Sequence, residues 1–179
     1  MKTMESRPSA AGIIRKAGPG DAAALSQLSR RTFTQAFGAF YDPGDLNLFL
    51  DAAYSLEASE GALADPAVGV WFLEMEDAPI GYVVAGPCSL EHPDVTAACG
   101  EIKRLYLLED WRGGGGGSRL LDAALGWLER DGPRRIWLGV FSENTGAQRL
   151  YERHGFRKVG EHVFQVGGTA DREFTLRRG

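Results

Sequence analysis

Apolar residues recur at two different periods along the chain, and the two periods predict strands and helices. The run Ile13-Ile14-Arg15-Lys16-Ala17 predicts a first strand. A first helix follows, because Leu25, Leu28 and Thr32 recur at helical spacing. Two more stretches with helical periodicity run from about 45 to 54 and from 56 to 64.

The rest of the chain alternates between strand-like and helix-like patterns. Residues 68–75 and 80–85 predict a hairpin, and 101–108 predicts the next strand. Further predicted elements are a helix at 118–130, a strand at 135–141, a helix at 144–154 and strands at 157–166 and 170–177. This alternation predicts an α/β (α+β) fold with a mixed sheet of about seven strands flanked by helices.

Length and composition are those of one globular domain. The chain has 179 residues, of which 44% are hydrophobic and 25% charged. Residues 1–11 are polar and small, so we expect a flexible N-terminus at 1–11 and a single domain over 12–179. No apolar run approaches the roughly 20 residues of a membrane span, and residues 1–12 lack a secretory core. We therefore expect a cytoplasmic protein with no membrane partner.

Cysteine and histidine spacing gives no sign of a metal site. The two cysteines, Cys88 and Cys99, are too few for a disulfide framework and lack the spacing of zinc ligands. The three histidines, His92, His154 and His162, show no i, i+4 pairing. We expect reduced thiols and no bound metal.

Charge is distributed unevenly along the chain. From Thr32 to Ile102 there is no Lys or Arg, whereas the same stretch holds twelve acidic residues. This charge argues against binding of nucleic acid there, and we expect no nucleic-acid partner. The negative field can attract a cationic substrate, or the stretch can be an acidic surface with no further role.

A run of five glycines separates a predicted strand from a predicted helix in the segment Trp111–Leu121. Glycines there let an anion approach the backbone, so that successive N–H groups converge on it at the positive end of the helix dipole. Arg112 adds a charged donor to such a site. A flexible connection with no ligand is the alternative explanation of the glycine run, and we favour the anion site.

Two common phosphate-binding motifs do not fit this segment. A nucleoside-triphosphate P-loop needs Lys after its last glycine, but Gly117 is followed by Ser118 and Arg119. The dinucleotide fingerprint would need Gly or Ala at 118.

Two blocks together resemble the GNAT superfamily of N-acetyltransferases. The first is Arg112-x-x-Gly115-x-Gly117, similar to the signature that holds the pyrophosphate of acetyl-CoA. The second, about 25 residues on, is Asn144-x-x-Ala147-x-x-x-Tyr151-x-x-x-Gly155-Phe156. The second block also makes sense as local structure, because Asn144 is a favourable helix N-cap residue and Gly155 can adopt the left-handed conformation that ends a helix.

The resemblance implies a mostly antiparallel GNAT-like sheet and acetyl-CoA as cofactor. It also implies that the strand next to the cofactor splays, which frees backbone amides to bond the pantetheine and the thioester carbonyl. The cofactor-binding residues it implies are Leu105, Tyr106, Leu107, Arg112, Gly113, Gly114, Gly115, Gly116, Gly117, Ser118, Asn144 and Tyr151.

Acetyl transfer to nitrogen needs a neutral amine, and only about 1 in 2,500 amines with an ordinary pKa is neutral at pH 7. Glu101 resembles the general base of some family members, and a strand-end charge facing solvent is the alternative. Tyr151 matches the tyrosine that protonates the departing thiolate in many members, and a core aromatic on a helix face is the alternative.

The acceptor is a small-molecule amine in the interpretation we favour. Stretches such as Thr32–Phe37, Trp137–Phe141 and His162–Gly167 look similar to the bacterial spermidine/spermine N-acetyltransferases, which suggests a polyamine. Acetylation of a protein N-terminus or lysine, or a non-catalytic acyl-CoA sensor, are alternatives. A homodimer formed through an edge strand such as 170–177 is also possible, and the sequence leaves the oligomeric state open.

Overall fold

The computed structural model describes residues 12–179, so the N-terminus predicted to be flexible, 1–11, lies outside the described residues. The strands are β1 Ile13–Lys16, β2 Gly69–Met75, β3 Ala78–Pro87, β4 Gly100–Leu107, β5 Ile136–Phe141, β6 Arg157–Val166 and β7 Thr169–Arg178. The helices are α1 Ala22–Phe37, α2 Pro43–Ala53, α3 Leu56–Ala64, α4 Gly116–Leu128 and α5 Thr145–Arg153. None of these helices combines the length and hydrophobicity that a bilayer crossing requires.

One seven-stranded sheet organises the described chain, in the order β1-β2-β3-β4-β5-β7-β6. The pairs are antiparallel except β4 with β5, which run parallel. The predicted mixed, mostly antiparallel sheet of seven strands flanked by helices is confirmed.

The last two strands correct one expectation. We expected 170–177 at a sheet edge, but β7 lies between β5 and β6. The β6–β7 hairpin folds back so that its second strand pairs with β5, which leaves β6 outermost. The edges of the described sheet are therefore β1 and β6, and the expected edge position of 170–177 is wrong.

Helices cover both faces of the central strands. Tyr82 of β3 stacks on Tyr106 of β4 and lies against α1, where Ser29 and Thr32 face it. Leu107 of β4 points to the other face, since a Cβ placed on Gly116 of α4 would lie 3.1 Å from its side chain. Alternate residues of β4 therefore reach two different helical layers.

A local irregularity in β4 changes which residues face each layer. Val84 pairs with Arg104 and Ala85 with Ile102, so Lys103 is an extra residue on β4. Such a bulge bends a strand and increases its twist. It lies just beyond the point where β4 and β5 stop pairing.

The core depends on fully buried aliphatic side chains, and Leu121 of α4 is one of them, with no exposed surface. We expect Leu121→Ala to lower the free energy of unfolding by about 2–5 kcal/mol, because it leaves a cavity in close-packed surroundings. Leu48→Ala on α2 is the matched control, since Leu48 is 72% exposed, and it should change stability by less than about 0.5 kcal/mol. Urea unfolding followed by circular dichroism measures both, and equal losses would contradict this assignment of the core.

Candidate active site

The site begins where two parallel strands separate. β4 and β5 pair only through Gly100 with Ile136 and Glu101 with Trp137. Beyond Glu101, β4 continues beside β3 alone for the rest of its length. A wedge-shaped gap therefore opens between β4 and β5.

Backbone groups of β4 line this gap. The N–H of Leu108 donates to Ile80 O of β3 at 2.8 Å, and backbone direction alternates along a strand. The N–H groups of Leu105 and Leu107 therefore face away from β3, toward the side that β5 has left. This is the strand splay that the family resemblance implies, and it supplies donors for a ligand carbonyl.

The glycine run forms the turn at the wide end of the gap. Gly113 has φ +80° and Gly115 has φ +83°, a left-handed conformation that suits glycine. Gly115 is the N-cap of α4, so Gly116 and Gly117 begin the helix and do not belong to a loop. The first N–H groups of α4 have no partner inside the helix and can bind an anion.

These features surround a first cavity of about 440 Å³. Predicted residues in its wall are Leu105, Tyr106, Leu107, Arg112, Gly113, Gly115, Gly117, Ser118, Asn144 and Tyr151. The wall is completed by α1, through Ala36 and Phe37, and by further residues of α5. Gly114, Gly116 and Glu101, which were also predicted, do not line this cavity.

Helix α5 brings Asn144 and Tyr151 to the first cavity. Asn144 caps the helix, because its side-chain Oδ1 accepts from Ala147 N–H at 3.1 Å, and the predicted N-cap is confirmed. Gly155, at φ +86°, ends the helical segment as predicted.

Tyr151 is 7% exposed and lines the first cavity. Burial raises the pKa of its phenol above the ordinary value, and the negative charge of Glu173 raises it further. The hydroxyl therefore keeps its proton at neutral pH and is available as a donor.

A second cavity of about 230 Å³ adjoins the first and shares Phe37 and Tyr106 with it. Eight aromatic side chains lie in its wall: Phe33, Phe37, Tyr41, Phe49, Tyr54, Tyr106, Phe141 and Phe164. Its charged lining residues are Lys103, Arg104, Asp171 and Glu173. Helix α2 and its C-cap Tyr54 contribute to this wall, whereas α3 does not.

Glu173 of β7 is one of the two acids of the second cavity, and its side chain is 20% exposed. Its Oε2 lies 2.9 Å from Nε2 of His162, whose Nδ1 lies 2.9 Å from Thr175 Oγ1. Assigning the tautomer from this network, Thr175 donates to Nδ1 and Nε2–H donates to the carboxylate. Burial raises the pKa of Glu173, and the contact with His162 partly opposes the rise.

Gly139 of β5 provides the space that this pair occupies. A Cβ placed on Gly139 would lie 2.6 Å from Glu173 Oε2 and 2.9 Å from His162 Cε1. Any side chain at 139 would therefore displace the carboxylate.

Glu101 lies apart from both cavities. It is 7% exposed, and its Oε2 accepts from Ser89 N–H at 2.8 Å, Ser89 Oγ at 3.0 Å and Lys103 Nζ at 3.0 Å. The bulged Lys103 thus reaches back along β4 to pair with it. A general-base role for Glu101 stays a prediction.

Comparison with known proteins agrees with this geometry. The model of the acetyltransferase (GNAT) family matches residues 24–156. The chain belongs to the GNAT family. It is an acetyl-CoA-dependent N-acetyltransferase, as predicted from its two sequence blocks.

Curated relatives span most of the chain. An uncharacterized N-acetyltransferase from the pepI 3′ region of Lactobacillus delbrueckii subsp. lactis is 28% identical over 84% of this chain and 87% of its own length. An uncharacterized N-acetyltransferase of Mycobacterium tuberculosis is 29% identical over 88% and 97%, respectively.

Solved structures share the fold. The PaiA N-acetyltransferase from Thermoplasma acidophilum in complex with coenzyme A has a TM-score of 0.72 and 19% identity, covering 93% of this chain and 97% of its own. NAA60 of Arabidopsis thaliana, in complex with a bisubstrate analogue, has a TM-score of 0.68 and 19% identity, covering 93% and 97%.

The residues present fit coenzyme A. The first cavity joins an anion site at the start of α4 to the exposed amides of β4, so it suits a ligand with a pyrophosphate at one end and a polar chain behind it. Arg112 lines it as well, with Nε 3.4 Å from Leu107 O.

Sequence reasoning missed the polar residues of the second cavity, above all Glu173 and Arg104, and also His162, which contacts Glu173. One signal was present: Glu173 and Thr175 alternate with Phe174 and Leu176, which places an acid on a defined face of a strand. Nothing in that pattern shows that the face of the strand that carries Glu173 is also covered by other elements.

Gly115 tests the anion site at the start of α4. We expect Gly115→Ala to weaken binding of CoA by about tenfold, because a Cβ at φ +83° costs about 1–2 kcal/mol and shifts the turn. Gly126→Ala is the matched control, since Gly126 lies inside α4 with open space around it, and it should leave the Kd unchanged. Calorimetric titration with CoA gives both values, and equal affinity for the two variants would argue against pyrophosphate binding at this turn.

Proposed function

We propose that this N-acetyltransferase acetylates the primary amine of a small molecule that binds in the second cavity while acetyl-CoA binds in the first. The observation that carries the proposal is the wall shared by the two cavities at Phe37 and Tyr106. Tyr151 lines the first cavity and Glu173 lines the second, so the two side chains can donate a proton to the sulfur and accept one from the amine, respectively. The residues predicted for the cofactor then act through the first cavity and the glycine run beside it.

Tyr151 is the proton donor to the departing sulfur. Acetyl-CoA supplies an activated acetyl group as a thioester, and as the amine nitrogen bonds to the acetyl carbon, the carbon–sulfur bond breaks. The raised pKa of Tyr151 keeps its proton in place until the thiolate forms. The amides of Leu105 and Leu107 face the gap in which the carbonyl oxygen gains negative charge.

Glu173 binds the amine and accepts its proton. Its carboxylate lines the second cavity, with one oxygen held by His162. Glu101 was the candidate from sequence, but it lines neither cavity, and its Oε2 already accepts three hydrogen bonds from Ser89 and Lys103. We therefore assign the proton-accepting role to Glu173 in preference to Glu101.

The size of the second cavity favours a small acceptor. About 230 Å³ is below the roughly 300–1,000 Å³ of sites for drug-sized ligands. Four strands, α1 and α2 contribute to its wall, whereas a protein lysine or N-terminus would need an open groove. None of the twelve acids between Thr32 and Ile102 lines it, so the acid-rich stretch gives the polyamine prediction no direct support.

Release of free thiol from acetyl-CoA tests the proposal, with spermidine, spermine, arylalkylamines, amino acids and lysine peptides as acceptors. Saturable turnover of a small amine is the expected result. Tight binding of acetyl-CoA with no turnover on any amine would instead favour the acyl-CoA sensor.

Removing the phenol proton should separate binding from chemistry. We expect Tyr151→Phe to lower kcat by about 10²-fold with little change in CoA affinity, because only the proton donor is lost. Tyr82→Phe is the matched control, since Tyr82 is fully buried and lines neither cavity. Steady-state kinetics decides, and equal kcat in wild type and Tyr151→Phe would remove Tyr151 from the mechanism.

The pH profile identifies the base. Because burial raises the pKa of Glu173, its basic form is present above that raised value and is lost as the pH falls through it. We expect kcat/KM to fall on acidification at a pH above the ordinary carboxyl range of about 4, and Glu173→Gln to lower kcat by about 10²-fold or more and abolish this step. Glu101→Gln should retain the profile. If instead Glu101→Gln abolished the step and Glu173→Gln retained it, Glu101 would be the base.

A further inference from the structure

The charged groups in the second cavity differ in whether the protein already satisfies them. Asp171 accepts a hydrogen bond from Tyr41, and Lys103 is paired with Glu101. Glu173 uses Oε2 for His162, and within residues 12–179 no hydrogen bond reaches its other oxygen. Two of the four charged side chains are therefore committed to protein partners.

Arg104 is the other uncommitted group. Its guanidinium lies 4.7 Å from the centre of the Tyr54 ring, and in the part of the chain that the structure describes it makes neither an ion pair nor a side-chain hydrogen bond. It is half-buried and lines the second cavity. This cation–π contact leaves the five N–H donors of the guanidinium for another partner.

A half-buried guanidinium among aromatic side chains is costly without an anionic partner. Its fork of donors matches a carboxylate through two parallel hydrogen bonds. Among residues 12–179, the second cavity therefore presents one guanidinium without an ion-pair partner and one carboxylate with an unbonded oxygen, and eight aromatic rings lie in its wall.

From this pairing we infer that the acceptor is a zwitterion, namely a free amino acid with an apolar side chain. Its amine meets Glu173, its carboxylate meets Arg104, and its side chain packs on the aromatic wall. The inference rests on the proposed function. A polyamine fits this arrangement poorly, because it brings two or more positive charges to a cavity with one free acid and a free arginine.

The test begins with the twenty standard amino acids as acceptors in the thiol-release assay. The best substrate is then compared with its carboxamide and with the amine that lacks the carboxyl group. For phenylalanine these are phenylalaninamide and 2-phenylethylamine. We expect kcat/KM to be at least tenfold higher for the amino acid than for either analogue after correction for the neutral fraction of each amine, mainly through KM.

Variants at Arg104 assign that preference to one side chain. Arg104→Met should lower kcat/KM for the amino acid at least tenfold and leave the carboxyl-free amine within about threefold, whereas Arg104→Lys should keep part of the preference. Comparing variants on one substrate cancels differences in amine pKa. Arg157→Met, an exposed arginine of β6 outside both cavities, is the matched control and should change neither value.

Two outcomes overturn the inference alone. One is turnover of spermidine or 2-phenylethylamine with no turnover of any amino acid, and the other is an equal loss on all substrates in Arg104→Met, which indicates a structural role. If Arg104→Met does not fold, the substrate comparison on wild type and Arg104→Lys still decides. Absence of turnover with every amine, while calorimetry shows that CoA binds, overturns the proposed function as well.

Discussion

The separation of β4 from β5 is the constraint on which the rest of this molecule depends. Two parallel strands that pair normally satisfy each other's backbone groups along their length, but here pairing stops after Glu101 and Trp137. The unpaired amides of β4 then need a ligand or water, because buried backbone groups are rarely left unsatisfied. The unpaired segment of β4 is thus both an irregularity of the sheet and a surface that can bind a ligand. The bulge at Lys103 lies close to its start.

The separation of β4 from β5 also leaves two cavities that are built differently. The side of the gap toward α4 and α5 includes four glycines, and the amides of β4 and the first turn of α4 open on it, which suits coenzyme A. The side toward α1, α2 and the last two strands is made of side chains, which can differ from one relative to another without altering the scaffold. Membership of the GNAT family therefore predicts the ligand of the first cavity but not the ligand of the second.

Sequence reasoning was accurate where local rules decide the structure. The seven strands, the cap at Asn144 and the stop at Gly155 follow from periodicity and capping, which involve residues close together in the chain. The second cavity could not be predicted in this way. Arg104 and Glu173 are 69 positions apart, on strands separated by β5, and they face one cavity only because the last hairpin inserts β7 next to β5.

Gly139 limits how this site can change during evolution. The carboxylate of Glu173 and the ring of His162 occupy the volume that a side chain at 139 would need. A larger residue at 139 would be tolerated only if positions 173 and 162 changed at the same time, so the three positions should vary together among homologues. Loss of the acid would then leave a trace on the neighbouring strand β5, as the appearance of a side chain where this chain has none.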